Sequence, residues 1–234
     1  GSPMTHLLLV DDEPAILDIV TRYLTKEGYQ VTTATNGQEA LARYQAQAMD
    51  LIITDIMMPQ MDGYDFIDAV LQLREDQPFI FITAKDQAVD RIYSLTLGAD
   101  DYVTKPFSPR ELTLRVKNLM RRIQPSQATQ SVLTCAPFAI DEGQHRITLY
   151  DQALQLSLKE FQLLALFLKN PGRVFAKSEL FLKIWETDYM EDANTLNVHI
   201  HSLRDKLAKV AGQRPYPKIE TVWGLGYRLG GDPS

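Results

Sequence analysis

The chain has 234 residues with 45% hydrophobic content, which suits two packed domains of ordinary size and excludes a largely disordered protein. Residues 1–124 hold 12 lysines and arginines against 18 acidic residues, whereas residues 125–234 hold 12 of each, so any nucleic-acid-binding role is confined to the second half. The sequence has no membrane-length apolar run and no N-terminal signal pattern, and Cys135 cannot form an internal disulfide, so we expect a cytoplasmic protein without a membrane partner.

Short apolar runs alternate with segments of helical period through the first half. The runs have the length and composition of strands, and they are THLLLV, YQVTTA, DLIIT, PFIFIT and DDYVT. The helical segments are EPAILDIVTRYLTKEG, NGQEALARYQAQ, GYDFIDAVLQLRE, DQAVDRIYSLTLG and SPRELTLRVKNLMRRI. Five strands, each followed by a helix, predict a five-stranded, doubly wound parallel sheet of the α/β class.

Polar residues fall at the carboxyl ends of four of these predicted strands. They are Asp11, Asp12, Asp55, Thr83 and Lys105. Functional groups of such sheets gather at that edge, and three carboxylates meeting there would repel one another without a cation among them. A hard divalent ion such as Mg²⁺ suits this oxygen-rich set, while the lysine and threonine would bind an anion carried by one of the acids. The pattern predicts that Asp55 accepts a phosphoryl group.

The second half begins after a Gln- and Ser-rich segment, residues 124–131, which we interpret as a flexible linker between domains 4–123 and 132–231. FAIDEGQHRITLY and QALQLS predict a small antiparallel sheet. Three helices follow at LKEFQLLALFLKN, KSELFLKIW and DANTLNVHIHSLRDKLAKV, and KIETVWGLGYRL predicts a terminal hairpin. This order is typical of an α+β winged helix-turn-helix domain, whose third helix enters the DNA major groove.

The third helix of that domain separates an apolar face from a polar one. Leu196, Ile200, Leu203 and Leu207 recur at helical spacing and predict its core face. Polar residues on the rest of the helix, together with the hairpin, are the candidates for base and phosphate contacts. The candidate DNA-binding residues are Asn194, Thr195, Asn197, His201, Ser202, Arg204, Thr221, Trp223, Tyr227 and Arg228. Trp223 could equally cap the core.

Several motifs of the first half, LLLVDDE, DLIITDIMMPQMDGYD, FITAK and GADDYVTKPFSPREL, resemble the flavodoxin-like receiver domain of two-component response regulators. The resemblance implies a sensor histidine kinase as phosphoryl donor. It makes Asp55 the phosphoacceptor, Asp12 a direct and Asp11 a water-mediated magnesium ligand, and Met57 a ligand through its backbone carbonyl. Thr83 and Lys105 would bind the phosphoryl oxygens, and Tyr102 would turn inward on activation, although it could merely pack at the edge of the sheet.

KEFQLLALFLKNPGRVFAKSEL, NTLNVHIHSLRDKL and IETVWGLGYRL resemble the effector domain of the OmpR/PhoB subfamily. Together with TAK, IYSLTLGADDYV and YMEDANTLNVHIHSLRDKL they are similar to Sae-type regulators of low-GC Gram-positive bacteria. The subfamily implies a transcription factor that binds promoter DNA, as direct repeats, with RNA polymerase as a possible partner. Many relatives have arginine at the positions of Ser202 and Trp223, so base recognition could rely on other residues here.

The same resemblance implies a receiver homodimer that forms on phosphorylation through charged residues after the fourth strand. The interface candidates are Arg91, Asp100, Asp101, Glu111, Arg115 and Lys117. The cross-subunit pairs would join Arg91 to Glu111, Asp101 to Arg115 and Asp100 to Lys117. A solvated face of mixed charge is the alternative.

Two residues bear on the lifetime of the phosphorylated state. Met57 and Lys85 stand two positions beyond Asp55 and Thr83, where they would flank the attacking water. Methionine cannot orient water by a hydrogen bond, so we expect slow self-dephosphorylation and no other enzymatic activity.

Two other functions are compatible with parts of the pattern. In the first, the receiver is only a protein-interaction module and DNA binding does not depend on phosphorylation. In the second, Asp55 serves a metal-dependent phosphatase; Met57 stands where such enzymes place a second aspartate, and the C-terminal half is left unexplained.

Overall fold

A computed structural model describes residues 4–84, 97–123, 132–185 and 194–230. The chain divides into two compact units, Gly1–Arg122 and Ile123–Ser234. The predicted linker, residues 124–131, lies outside the described residues. No described helix is long and apolar enough to cross a membrane.

The first unit is built on a parallel sheet of five strands in the order β2-β1-β3-β4-β5. β1 and β3 are buried along their whole length, as the continuous apolar runs predict for a sheet covered on both faces. The doubly wound α/β fold expected from the sequence is confirmed. The strands are β1 His6–Val10, β2 Gln30–Ala34, β3 Leu51–Asp55, β4 Phe79–Ala84 and β5 Asp101–Lys105.

Four described helices connect or follow these strands: α1 Pro14–Lys26, α2 Gly37–Ala46, α3 Gly63–Leu73 and α4 Pro109–Ile123. Asn36 and Asp62 cap α2 and α3, since each side chain accepts a hydrogen bond of 2.8 Å from a backbone N–H in the first turn. The helix predicted from residues 86–98 lies outside the described residues except for its last two.

The first residue of α3 lies in close contact with the backbone at the end of β3. Gly63 N–H donates to the Ile56 carbonyl at 2.8 Å. A Cβ added at Gly63 would lie 2.3 Å from the Asp55 carbonyl oxygen and 2.8 Å from the Ile56 Cα. Only glycine fits this approach, which holds the loop after Asp55 against the first turn of α3.

The second unit contains two antiparallel sheets and three described helices. The four-stranded sheet has the order β6-β7-β8-β9, and the three-stranded sheet has the order β10-β12-β11. The winged-helix arrangement expected from the sequence is present. The elements are β6 Val132–Cys135, β7 Phe138–Asp141, β8 Arg146–Leu149, β9 Gln152–Ala153, α5 Leu158–Lys169, β10 Phe175–Ala176, α6 Lys177–Trp185, α7 Thr195–Ala211, β11 Ile219–Val222 and β12 Gly226–Leu229.

The core of this unit forms where α7 packs against the other helices. Leu196, Ile200, Leu203 and Leu207 are all buried, as their spacing predicts. The opposite side of α7 and the turn between β11 and β12 are exposed. The hairpin of β11 and β12 is the wing, and its turn spans residues 223–225.

Candidate functional site

The three aspartates predicted to share one edge of the parallel sheet do so. Asp11 follows β1 directly, Asp55 is the last residue of β3, and one carboxylate oxygen from each of Asp11, Asp12 and Asp55 lies within 4.8 Å of the other two. Asp11 and Asp55 are buried, whereas Asp12 is exposed. Burial of two acids beside an exposed third gives a negatively charged pocket that opens to solvent.

Lys105, the last residue of β5, neutralises part of this charge. Its Nζ lies 2.9 Å from Asp55 Oδ2 and 3.0 Å from Asp11 Oδ2. A fourth acid, Glu13, approaches the same Nζ at 3.4 Å. Sequence reasoning missed Glu13, although its position directly after Asp11 and Asp12 was a usable signal.

Backbone N–H groups orient the two buried carboxylates. Glu13 N–H donates to Asp11 Oδ1 at 2.8 Å, and Met57 N–H donates to Asp55 Oδ1 at 3.1 Å. Burial raises the pKa of the Asp11 carboxyl above its usual value, and the hydrogen bonds from Glu13 and Lys105 only partly offset it. Burial alone would lower the pKa of the Lys105 ammonium, but Asp55 and Asp11 outweigh it and raise that pKa. Lys105 therefore stays cationic at neutral pH.

The remaining predicted residues of this pocket lie around it. Thr83 is buried in β4, one residue beyond Ile82, which is the register partner of Asp55. Tyr102 is half-buried in β5 and packs against the core cluster around Phe79 and Phe81. The Met57 side chain is 69% exposed. Lys85 lies outside the described residues.

In the second unit, the exposed part of α7 and the wing present six of the predicted DNA-binding residues to solvent. Trp223 is 90% exposed at the wing turn, so it does not cap the core. His201 is also exposed and lies 3.3 Å from Asp205. The six residues are Asn194, Asn197, His201, Thr221, Trp223 and Arg228.

Four other residues predicted to contact DNA are turned inward or engaged within the domain. Thr195 is fully buried at the start of α7, and Tyr227 is 5% exposed with its hydroxyl donating to Asn197 Oδ1 at 2.6 Å. Ser202 Oγ donates to the buried Glu160 carboxylate at 2.7 Å. Arg204 donates from Nε to the Ile219 carbonyl and from Nη2 to Thr221 Oγ1, both at 2.9 Å.

Direct DNA contact by these four residues stays a prediction, and the structure shows that their side chains are buried or already bonded within the unit. A helical wheel gives the angle of a side chain about its own helix, but not the partners that other elements bring to it. Glu160 of α5 binds Ser202, and the wing binds Arg204 and Asn197 of α7. Tyr227 and Arg204 join the wing to α7, since the Arg204 guanidinium also lies 5.5 Å from the Tyr227 ring centroid.

Comparison with known proteins agrees with both units. The response regulator receiver domain family matches residues 7–117, and the family described as transcriptional regulatory protein, C terminal, matches residues 151–229. The chain is 48% identical over 228 residues to the response regulator SaeR of Staphylococcus epidermidis, a match that covers 97% of this chain and 98% of the relative. The chain belongs to the response regulators of two-component systems.

Other relatives of this response regulator support the same assignment. SaeR of Staphylococcus aureus is 46% identical over 227 residues, with 97% of this chain and 98% of that protein covered. A RitR variant is similar in structure, with a TM-score of 0.65, 25% identity and coverage of 97% of this chain and all of that one. DrrB of Thermotoga maritima, an OmpR/PhoB homologue, gives a TM-score of 0.50, 27% identity and coverage of 98% and 100%. The response regulator is therefore a DNA-binding transcription regulator.

The predicted dimer face of this response regulator carries ion pairs within one chain. Arg115 binds Asp101 at 2.9 Å and Glu111 at 3.2 Å, and Lys117 binds Glu27 at 3.1 Å. Asp100 accepts from Phe79 N–H at 3.0 Å. Arg91 lies outside the described residues. Pairing across subunits would therefore exchange existing contacts of Arg115 and Lys117 for new ones.

Proposed function

We propose that phosphorylation of Asp55 by a sensor histidine kinase switches this response regulator to a state that binds promoter DNA more tightly. The observation that carries the proposal is the position of the Lys105 ammonium, 2.9 Å from Asp55 and 3.0 Å from Asp11, at an edge where a third aspartate is exposed. An acid fixed beside a permanent cation, in a pocket that opens to solvent at Asp12, is suited to accept a phosphoryl group.

The transfer forms one P–O bond and breaks one bond to the donor. An Asp55 carboxylate oxygen attacks the phosphorus of a phosphohistidine as the P–N bond breaks, and the imidazole leaves with the electron pair. Lys105 Nζ then pairs with a phosphoryl oxygen in place of the carboxylate, and Thr83 donates its hydroxyl to another. Catalysis by the chain consists of positioning and charge stabilisation.

The carboxylate pocket fits a hard divalent cation. Its donors are oxygens only, and two of the three acids are buried side by side, an arrangement that a cation would relieve. Asp11, Asp12, Asp55 and the Met57 backbone carbonyl would hold Mg²⁺, Asp11 through water. The ion would neutralise charge on the phosphoryl oxygens. Glu13, which already shares Lys105, adds to the negative charge that attracts it.

The output is a homodimer whose two DNA-binding units occupy direct repeats in a promoter. Phosphorylation draws Thr83 toward the phosphoryl group, and Tyr102 fills the vacated space, which changes the surface bearing Asp100, Asp101, Glu111, Arg115 and Lys117. Asn194, Asn197, His201 and the exposed wing then contact DNA. RNA polymerase is a further candidate partner, and a cytoplasmic location stays a prediction.

The phosphorylated state should be long-lived. The side chain of Met57 stands 69% exposed two residues beyond Asp55 and offers no hydrogen bond to an attacking water. We expect the purified phosphoprotein to persist for many minutes, so that rapid switching off requires a separate phosphatase. A phosphoryl group that decays within seconds in purified protein would contradict this.

The proposal is tested by the intact mass of the protein after incubation with acetyl phosphate and magnesium. Wild type and the control Asp68→Ala, which removes an exposed aspartate of α3, should each gain one phosphoryl group. Asp55→Ala should gain none. If no adduct forms while DNA binding persists, the receiver is an interaction module. Hydrolysis of added phosphoesters would instead favour the phosphatase.

A further inference from the structure

A buried carboxylate in the DNA-binding unit lies beneath the recognition helix α7. Glu160 belongs to the first turn of α5, where its side chain and that of Ser157 form a reciprocal capping box. A capping glutamate needs only one oxygen for this task and can remain in water. Glu160 is instead 3% exposed. Its burial shows that the carboxylate has partners beyond its own helix.

Those partners are two residues one turn apart on α7. Ser202 Oγ donates to Glu160 Oε2 at 2.7 Å, and Lys206 Nζ lies 2.7 Å from Glu160 Oε1. Lys206 also donates to the Gln155 carbonyl at 2.9 Å, which ties the same side of α7 to the segment before α5. The side chain of Lys206 is 14% exposed, so this ion pair is shielded from solvent.

The charge on Glu160 persists at neutral pH despite its burial. Burial alone would raise the pKa of this carboxyl, but Lys206 and the hydrogen bonds from Ser157 and Ser202 outweigh it and lower the pKa. The three donors satisfy both carboxylate oxygens, which a buried ion requires. Glu160 is thus a fixed anion that two residues of the recognition helix must face.

Apolar packing determines which face of α7 is buried, but leucine and isoleucine contacts have little directionality and specify the exact rotation less sharply. Short hydrogen bonds to a charged group do have direction. We propose that Glu160 is a positioning residue for DNA recognition, which sets the rotation of α7 about its axis through Ser202 and Lys206 and thereby aims Asn194, Asn197 and His201. This inference rests on the proposed use of α7 as the recognition helix.

The experiment measures DNA discrimination by the full-length chain. A duplex chosen by wild-type protein from random DNA and a shuffled duplex serve as probes, and the ratio of their dissociation constants is compared among variants. Glu160→Gln keeps the size of the side chain and its capping bond but removes the charge that faces Lys206. Ser202→Ala removes one hydrogen bond. Ile140→Ala, in the buried face of β7, supplies a control that lowers stability without removing any of the hydrogen bonds of Glu160.

Glu160→Gln and Ser202→Ala should each reduce the discrimination ratio by roughly tenfold, the effect of weakening one hydrogen bond to a charged group. The dependence of binding on salt should be unchanged, because the number of phosphate contacts is the same. Ile140→Ala should lower the melting temperature and leave the ratio intact.

The inference is overturned if the Glu160 variant melts at a lower temperature but keeps the wild-type ratio at temperatures where it is folded. It is also overturned if Ile140→Ala reduces the ratio as much as Glu160→Gln, since the effect would then be one of general stability. Wild-type protein that selects no DNA sequence would instead refute the proposed function.

Discussion

The two units of this response regulator place their functional residues in different ways. In the receiver, Asp11, Asp55 and Lys105 are far apart along the chain, yet the Lys105 ammonium lies within 3.0 Å of both acids because parallel strands end at one edge. In the DNA-binding unit, the candidates are neighbours on one helix or one hairpin, yet Ser202 and Arg204 of the helix are engaged by other elements. The position of a residue in the sheet therefore predicts its neighbours in the site more completely than the position of a residue on the helix.

Removal of the positive charge of Lys105 should have the largest effect on stability. Lys105→Met leaves the buried carboxylates of Asp11 and Asp55 without their partner, so the free energy of unfolding in EDTA should fall by about 3 kcal/mol. Magnesium should restore more stability to the variant than it adds to wild type. Lys26→Met, at an exposed site in α1, is the control for chemical denaturation. Equal stability of Lys105→Met and wild type in EDTA would show that the pocket does not need the Lys105 ammonium.

The junction between β3 and α3 should be the next most sensitive feature. Gly63→Ala places a methyl group 2.3 Å from the Asp55 carbonyl oxygen, so α3 must shift. We expect a loss of about 2 kcal/mol in the free energy of unfolding, with slower phosphorylation of Asp55. Gln72→Ala, exposed in the same helix, should have little effect on either quantity. A Gly63→Ala protein with wild-type stability would show that the contact is easily relieved.

Charge reversal on the predicted dimer face should weaken assembly without affecting the phosphorylation step. Asp101→Lys repels Arg115, whether the arginine belongs to the same chain or to a second one, and should raise the dissociation constant of the phosphorylated dimer about tenfold or more. Sedimentation velocity measures this directly. Asp18→Lys makes the same change of charge at an exposed site in α1. An unchanged sedimentation profile for Asp101→Lys would remove this face from the dimer.

The smallest effect should come from the contact between α7 and the wing. Arg204 uses its donors on Ile219 and Thr221, so Arg204→Ala should reduce DNA affinity several-fold through the position of the wing. The salt dependence of DNA binding by Arg204→Ala should match that of wild type. If Arg204 grips a phosphate instead, the slope of log affinity against log salt concentration should fall by about one. Arg228→Ala, on the exposed side of the wing, provides the comparison.

The sequence predicted those features that depend on the regular alternation of strands and helices along the chain. Strand runs and helix caps gave the parallel sheet, the ends of its strands and hence the pocket of Asp11, Asp12, Asp55 and Lys105. Glu13 was missed because it stands three residues beyond the end of β1, where the strand pattern no longer predicts the direction of a side chain. The two-residue strand β10 is too short to show a pattern. The hydrogen bond of Ser202 was also missed, because its partner, Glu160, lies 42 residues away on another helix.

The most direct test of the account is the DNA affinity of one protein sample before and after phosphorylation, with the extent of phosphorylation measured by intact mass. Fluorescence anisotropy with a duplex selected from random DNA should show a gain of about tenfold or more for wild type, and no gain for Asp55→Ala. Equal affinity of the unphosphorylated and fully phosphorylated wild-type protein would contradict the account, because Asp55 would then carry a phosphoryl group that does not control DNA binding.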